Sequence, residues 1–299
     1  MKSVRLPAYA KVNLRLDVLG LRADGYHELR TIFQAISLHD TLQLELMRQS
    51  GIDLQIIGNS QLSAEPAQEN LAYRAIRELA AALEIGPGVR AVLNKRIPIG
   101  RGLGGGSSDA AAALLGLLRL TQKQIEASRL LEIASRLGAD VPFFLRGGRA
   151  LGIGRGNEIY PLPDAPRRPV LVVSPHGIAV PTKDAYQWLA QELTNCTDAN
   201  KLIQFCALCW SPQGGGLSND FEAAVFPRHP RLAAIKRELL QHGAAEASLA
   251  GSGSAVFGIF QHPAKARRAA RAFPEDEVFF CSTLSRAEYR RKMGGPDLV

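Results

Sequence analysis

One run limits this chain more than any other: Pro98-Ile99-Gly100-Arg101-Gly102-Leu103-Gly104-Gly105-Gly106-Ser107-Ser108-Asp109, followed by alanines and leucines. Five glycines between positions 100 and 106 predict a loop that feeds straight into a helix. At such a junction main-chain N–H groups face outward, the helix start carries partial positive charge, and glycine lets anionic oxygens approach the backbone. A phosphorylated ligand is the expected occupant. The two serines can cap the helix or face a metal. Gly100-x-Gly102-x-x-Gly105 also satisfies the dinucleotide-binding fingerprint. That fingerprint belongs to the first strand–helix turn of a βαβ unit, with an acid ending the next strand about 20 residues on. Here the loop lies deep in the chain, and the acid near that distance, Glu126, falls in a predicted helix. A Walker-type loop fails as well, because no Gly-Lys-Ser/Thr closes the run.

The length of 299 residues predicts a large core and two domains. With 46% hydrophobic and 21% charged residues, the composition is that of a soluble globular protein. The longest apolar stretch, Ala110 to Leu118, is too short to span a bilayer. Met1 to Arg5 enters a strand without a secretory apolar core or an Arg/Ser-rich transit segment, so a cytoplasmic location is expected. The net charge of +8 suits nucleic acid, a membrane surface or a polyanionic small substrate. Its basic residues are scattered, apart from Lys265–Arg271 and Arg286–Lys292, which read as solvated helix faces. No aromatic–basic interleaving accompanies them, so neither nucleic acid nor a membrane is the expected partner. The four cysteines include Cys206-Ala-Leu-Cys209, formally a redox or half-zinc spacing. The pair sits in an apolar run, Leu202 to Trp210, without a second ligand pair, and reads as small hydrophobes on a helix.

Strands are predicted at Val4–Leu19, Thr31–Leu38, Asp40–Met47, Ile52–Ile57 and Val89–Ile97, with a turn at Arg22–Tyr26. Helices are predicted at Asn70–Leu83, Ser107–Leu120 and Lys123–Leu137, the last stopped by Gly138. The proline-rich Pro161–Pro169 segment marks a domain boundary. Beyond it the pattern gives a strand at Val170–Ser174 and helices at Thr182–Leu193, Ala199–Cys209, Asp220–Val225 and Arg231–His242. A hairpin over Gly243–Phe260, a helix at Ala264–Ala272 and a strand at Val278–Thr283 complete an α+β pattern.

Three further segments suit phosphate chemistry. Lys11 and Asn13 share parity on a strand and hence one face. Asp140 follows a helix end in Gly138-Ala139-Asp140-Val141-Pro142. Leu249-Ala250-Gly251-Ser252-Gly253-Ser254 is a second glycine-rich turn entering an apolar strand. With Pro98–Ser108 they resemble the GHMP kinase superfamily, whose middle motif Pro-x-Gly-x-Gly-Leu-Gly-Gly-Gly-Ser-Ser stands here in full. Ala10–Leu14, Arg22–Leu29, Gly138–Phe144 and Ser218–Glu222 are similar to one branch of it, over essentially the whole chain. That branch phosphorylates a cytidine diphosphate derivative of methylerythritol. Arg22-Ala-Asp-Gly-Tyr-His27 is the specific part, since the wider superfamily shares only the glycine loops.

The resemblance implies a two-domain α+β fold, with a ribosomal-S5-like N-terminal domain over 1–160 and a ferredoxin-like C-terminal domain over 161–299. It implies ATP and Mg²⁺, a small-molecule partner, and a monomer or weak homodimer. Asp140 is expected as catalytic base with Lys11 beside it, and Asn13 near the substrate. Pro98, Gly100, Gly102, Leu103, Gly104, Gly105, Gly106, Ser107 and Ser108 are expected around the ATP phosphates. Ser107 or Ser108 is expected at the metal, directly or through water, because no Glu is evidently placed for it. Adenine is expected against Asn70, Leu71 and Lys95, although Asn70 also suits a plain helix cap. Cytosine falls to Tyr26 and His27, with Tyr186 stacking from the segment after Pro181-Thr182, and Thr182 itself at the substrate. Gly251, Ser252 and Gly253 are expected to close the site. Two alternatives stand beside this: another kinase of the superfamily, of homoserine or mevalonate type, and a catalytically silent nucleotide-binding regulator.

Overall fold

Two long strands organise the first half. The computed structural model describes residues 3–86, 88–192, 203, 205–207, 209 and 216–293. Strands β1 (Ser3–Leu21) and β2 (His27–Met47) pair antiparallel across the turn that joins them. The sequence suggested two strands, Thr31–Leu38 and Asp40–Met47, where β2 runs as one through His39 and Asp40. The Asp40 carboxylate is buried, accepting from the Lys95 amine and from the N–H groups of Arg96 and Ile97. Strand β3 (Ile52–Ile57) lies parallel to β4 (Gly88–Asn94), which pairs with β2. Between them come α1 (Ser60–Ala64) and α2 (Leu71–Ala82).

After β4 the glycine run leads into α3 (Gly105–Thr121), then α4 (Ala127–Leu137) and α5 (Val141–Arg146). Helix α3 is apolar almost all round because it is wrapped by α2, α5, β1 and β2. Strands β5 (Arg149–Gly154) and β6 (Glu158–Pro161) extend the sheet from β2. The sequence pattern missed α5, β5 and β6. The first is a 6-residue helix, too short to show a period, and β5 holds two glycines.

Strand β7 (Pro169–Ser174) opens a second, four-stranded sheet. It is followed by α6 (Thr182–Glu192) and by β8 (Ser218–Asn219), which returns to pair parallel with β1. Helices α7 (Phe221–Val225) and α8 (Pro230–Gln241) precede β9 (Glu246–Leu249) and β10 (Val256–Ile259). Then come α9 (Pro263–Ala269), β11 (Glu277–Ser282) and α10 (Arg286–Met293). The antiparallel order β11-β7-β10-β9 gives the second sheet. Of the helix expected over 199–209, only 203, 205–207 and 209 are among the described residues. Cys206 and Cys209 are half-buried free thiols, and Cys196 lies outside the described residues. Among the described residues, no helix is long and apolar enough to cross a membrane.

One apolar cluster joins the sheets: Val12 and Ile36 from the first, Val172 and Phe257 from the second, with Ile97 and Leu103 from the segment that carries the glycines. Beneath that segment the Lys95 amine sits between Asp40 and Asp109, 2.7 Å from the Asp109 carboxylate. Burial pulls the Lys95 amine down, but Asp109 and Asp40 outweigh it and hold it above its ordinary pKa. Burial pushes the Asp109 carboxyl well above the usual range, since one lysine serves two carboxylates.

Removing the cation leaves both acids without a counter-charge. Lys95→Met is expected to lower the unfolding free energy in urea by about 3–5 kcal/mol at pH 8. Asp109, with its raised pKa, stabilises most when protonated and loses that contribution as pH rises. The deficit of the variant is therefore expected to be smaller at pH 5 than at pH 8, and paired urea titrations check both values.

Candidate active site

The site begins with an irregularity in β1. The ladder to β2 slips between Tyr9 and Lys11, and the Lys11 N–H donates across to the Leu103 carbonyl at 3.0 Å. A bulge of this kind re-aims a side chain. The Lys11 amine donates to Asn13 Oδ1 at 2.9 Å and lies 3.4 Å from Asp140 Oδ2. Asn13 donates in turn to Thr31 Oγ1 at 2.7 Å, and Thr31 donates to the Arg15 carbonyl at 2.7 Å. This chain fixes which way the Asn13 amide faces. Asp140 is held by the turn from α4 into α5, where the Val141 N–H bonds the Gly138 carbonyl at 3.1 Å. The lysine is 5% exposed and the aspartate 30%, so the pair opens to solvent on the aspartate side.

Across from them stands the glycine run. Leu103 plugs into the inter-sheet cluster and anchors its middle. Gly102 has φ +76°, and a Cβ there would fall 1.8 Å from the Ala250 carbonyl oxygen. Gly104, at φ +72°, would place a Cβ 2.8 Å from Phe144 and 3.1 Å from Lys11 Cγ. Glycine is required at both positions by conformation and by space. The loop then enters α3, whose first N–H groups have no partner within the helix.

The second glycine turn packs directly on the first. Asn219 holds it by donating to the carbonyls of Leu249 at 2.9 Å and Gly251 at 2.7 Å. Glu222 accepts from the Leu249 N–H at 3.0 Å and the Ser248 hydroxyl at 2.9 Å. The Ser218–Glu222 motif is thus the brace of this turn. Arg101 ties the two loops further, donating to Ser254 Oγ at 2.5 Å and to the Ile178 carbonyl. Ser252 Oγ lies 3.2 Å from Thr182 Oγ1.

Between these elements lies a cleft of about 830 Å³. Lys11, Asn13, Asp140 and Ser107 line it, together with Pro98, Gly100, Gly102, Leu103 and Gly104. Gly251, Ser252 and Thr182 close another wall. Tyr26, His27 and Tyr186 form an aromatic wall of the same cleft. The turn that carries Tyr26 is built in advance: Arg22 N–H bonds the Tyr26 carbonyl at 2.7 Å, and Asp24 accepts from the Tyr26 N–H at 3.1 Å. His27 stacks on Tyr186, with centroids 4.6 Å apart and planes at 24°. Tyr186 in turn meets the Phe221 edge at 4.8 Å. Burial lowers the His27 pKa, so its ring is neutral at pH 7. Burial, then the charge of Asp140, raise the Tyr186 phenol. A neutral imidazole and an un-ionised phenol offer stacking surface and hydrogen bonds without net charge.

Some expected residues stand elsewhere. Lys95 is not on the cleft wall; its amine is taken up below the loop by Asp40 and Asp109. Asn70 caps α2, accepting from the Ala72 N–H at 2.9 Å, and Leu71 packs beneath Gly106. Ser108 is fully buried in α3, which leaves Ser107 as the serine at the cleft. Gly253 turns the second loop through its N–H bond to the Ala250 carbonyl, away from the cleft wall. Gly105 and Gly106 open α3 and are not on that wall either. Among the described residues, no three His, Cys, Asp or Glu side chains gather as a metal cage. A cation here would rest on the Ser107 hydroxyl, water and a phosphate ligand, a donor set that suits Mg²⁺. Sequence reading missed Thr31, Arg101, Arg155 and Phe221. Each reaches the site through pairing or packing between distant segments.

The sequence matches the GHMP kinases N terminal domain over residues 70–148 and the GHMP kinases C terminal family over residues 198–277. It is 46% identical over 298 residues to the 4-diphosphocytidyl-2-C-methyl-D-erythritol kinase of Solibacter usitatus, covering 97% of this chain and 91% of that protein. A crystal structure of 4-(cytidine 5'-diphospho)-2C-methyl-D-erythritol kinase superposes with a TM-score of 0.79 at 38% identity, over 94% of this chain and 99% of that one. Homoserine kinase from Cytophaga hutchinsonii shares the fold alone, with a TM-score of 0.68 at 19% identity over 95% of each chain. The chain belongs to the 4-diphosphocytidyl-2-C-methyl-D-erythritol kinases, within the GHMP kinase superfamily.

Proposed function

We propose that this protein transfers the terminal phosphoryl group of ATP to the 2-hydroxyl of 4-diphosphocytidyl-2-C-methyl-D-erythritol, in the methylerythritol phosphate pathway to isoprenoid precursors. The observation that carries the reading is the Lys11–Asp140 pair at 3.4 Å, sharing one cleft with the glycine loop and with Tyr26, His27 and Tyr186. Phosphoryl transfer asks for positioning, charge neutralisation and an oriented nucleophile, and the cleft supplies all three.

Asp140 accepts the proton of the attacking hydroxyl as its oxygen bonds to phosphorus and the bond to ADP breaks. Lys11, fixed by Asn13, balances the carboxylate and hydrogen-bonds the attacking oxygen. The loop N–H groups and the start of α3 meet the phosphate charge. Ser107 would hold Mg²⁺, directly or through water, and the ion would lower the charge repulsion around the phosphates. The aromatic wall takes the cytosine; because His27 and Tyr186 already touch, the base stacks outside that pair or parts it. A division at 160/161, a cytoplasmic setting and a monomer or weak dimer belong to the same reading. The homoserine kinase likeness lies in the fold, whereas the Arg22–His27 turn has no use in a site for a small amino acid. A silent regulator would have no need of Lys11 and Asp140 together.

With Mg-ATP and the cytidylated substrate, ³¹P NMR is expected to show a new phosphate monoester together with ADP. Asp140→Asn is expected to slow kcat by about 10²–10⁴-fold; near-normal turnover would remove Asp140 from the base role. Tyr186→Ala is expected to raise KM for the cytidylated substrate by about 10-fold. KM for ATP is expected to hold, and steady-state kinetics with each substrate varied in turn separates the two.

A further inference from the structure

Arg155 stands in the turn between β5 and β6, on the cleft wall beside Tyr26. Its guanidinium carbon lies 3.5 Å from the centroid of the Tyr26 ring. Among the described residues it makes no hydrogen bond and no ion pair, and its Nε is buried without a partner. Asp24 feels its charge, but that carboxylate is already committed to Arg22 and to the Tyr26 N–H. A guanidinium stacked flat on a ring keeps its in-plane N–H donors free for an anion. A guanidinium on the wall of a binding cleft, with no protein acceptor among the described residues, points to an anionic ligand.

Taking the substrate as proposed above, its anionic part is the diphosphate, joined through one ribose to the cytosine. We propose that Arg155 recognises that diphosphate, using Tyr26 as the platform that holds its guanidinium plane. The planar fork matches phosphate oxygens in a bidentate geometry that an ammonium group cannot reproduce. Tyr26 then does two things at once: it offers one face of its ring to the base and holds the phosphate-binding cation on the other. Lys183, also on the cleft wall, is an exposed side chain without such a platform.

The test compares the wild type with Arg155→Met, Arg155→Lys and Lys183→Met, by steady-state kinetics and by competition with CDP and with cytidine. Wild-type turnover of the cytidylated substrate is read first; its absence overturns the function itself rather than the role of Arg155. Given turnover, Arg155→Met is expected to raise KM for the cytidylated substrate by about 10- to 100-fold. It is expected to weaken CDP by the same factor, while cytidine and KM for ATP move less than about twofold; Arg155→Lys is expected to recover only part of the loss. Equal weakening of CDP and cytidine would mean that Arg155 only braces Tyr26, and would overturn the proposal. An equal loss in Lys183→Met would reduce the contact to a diffuse field and overturn it too, as would no change in CDP affinity.

Discussion

The slip in the β1 ladder at Lys11 is the constraint on which the site depends. The slip stands beside Lys11, whose N–H faces away from β2 and donates to the Leu103 carbonyl, so the middle of the glycine loop is hydrogen-bonded to the strand that carries the lysine. The glycine loop and the strand that carries Lys11 are therefore registered by one backbone bond. Gly104 reinforces this, because its missing Cβ is what lets the loop approach Lys11 and Phe144.

The same loop also couples the two sheets. Leu103 is buried in the cluster shared by Val12 and Phe257, and Gly102 touches Ala250 with no room for a methyl group. Asn219 and Glu222 clamp the second turn from outside both glycine runs. A displacement of either sheet would break contacts in both loops together. Close-packed interiors resist such sliding, which makes the cleft geometry a property of the core and not of its rim.

Much of this was legible in the sequence, and the reasons are physical. Strand parity placed Lys11 and Asn13 on one face, and the 2.9 Å bond between them follows from that parity. The glycine loop and its helix were visible because glycine spacing has few other uses. Strand β2 was read as two pieces parted at His39, and the buried Asp40 beside that point finds its partners, Lys95 and two backbone N–H groups, only 55 and more residues away. Lys95 was placed at the adenine by resemblance alone; its partners Asp40 and Asp109 are separated widely in sequence, and no local pattern reports their meeting. The aromatic wall lies between these cases. Tyr26 and His27 stood out through their turn, while the stacking of His27 on Tyr186 depends on α6 crossing from beyond β7.

Lys11 and Lys95 show how one residue type is divided between chemistry and architecture. Both amines are nearly inaccessible and both face aspartates. Lys95 is shared by two buried carboxylates, and its amine is fully occupied by them. Lys11 has one carboxylate, and that carboxylate is 30% exposed. The Lys11–Asp140 contact can loosen while Asn13 keeps the amine in place, because the water-facing partner loses little. What separates the two lysines is the burial of the acids around them, and that burial is decided by the strand, loop and helix ends on which those acids stand.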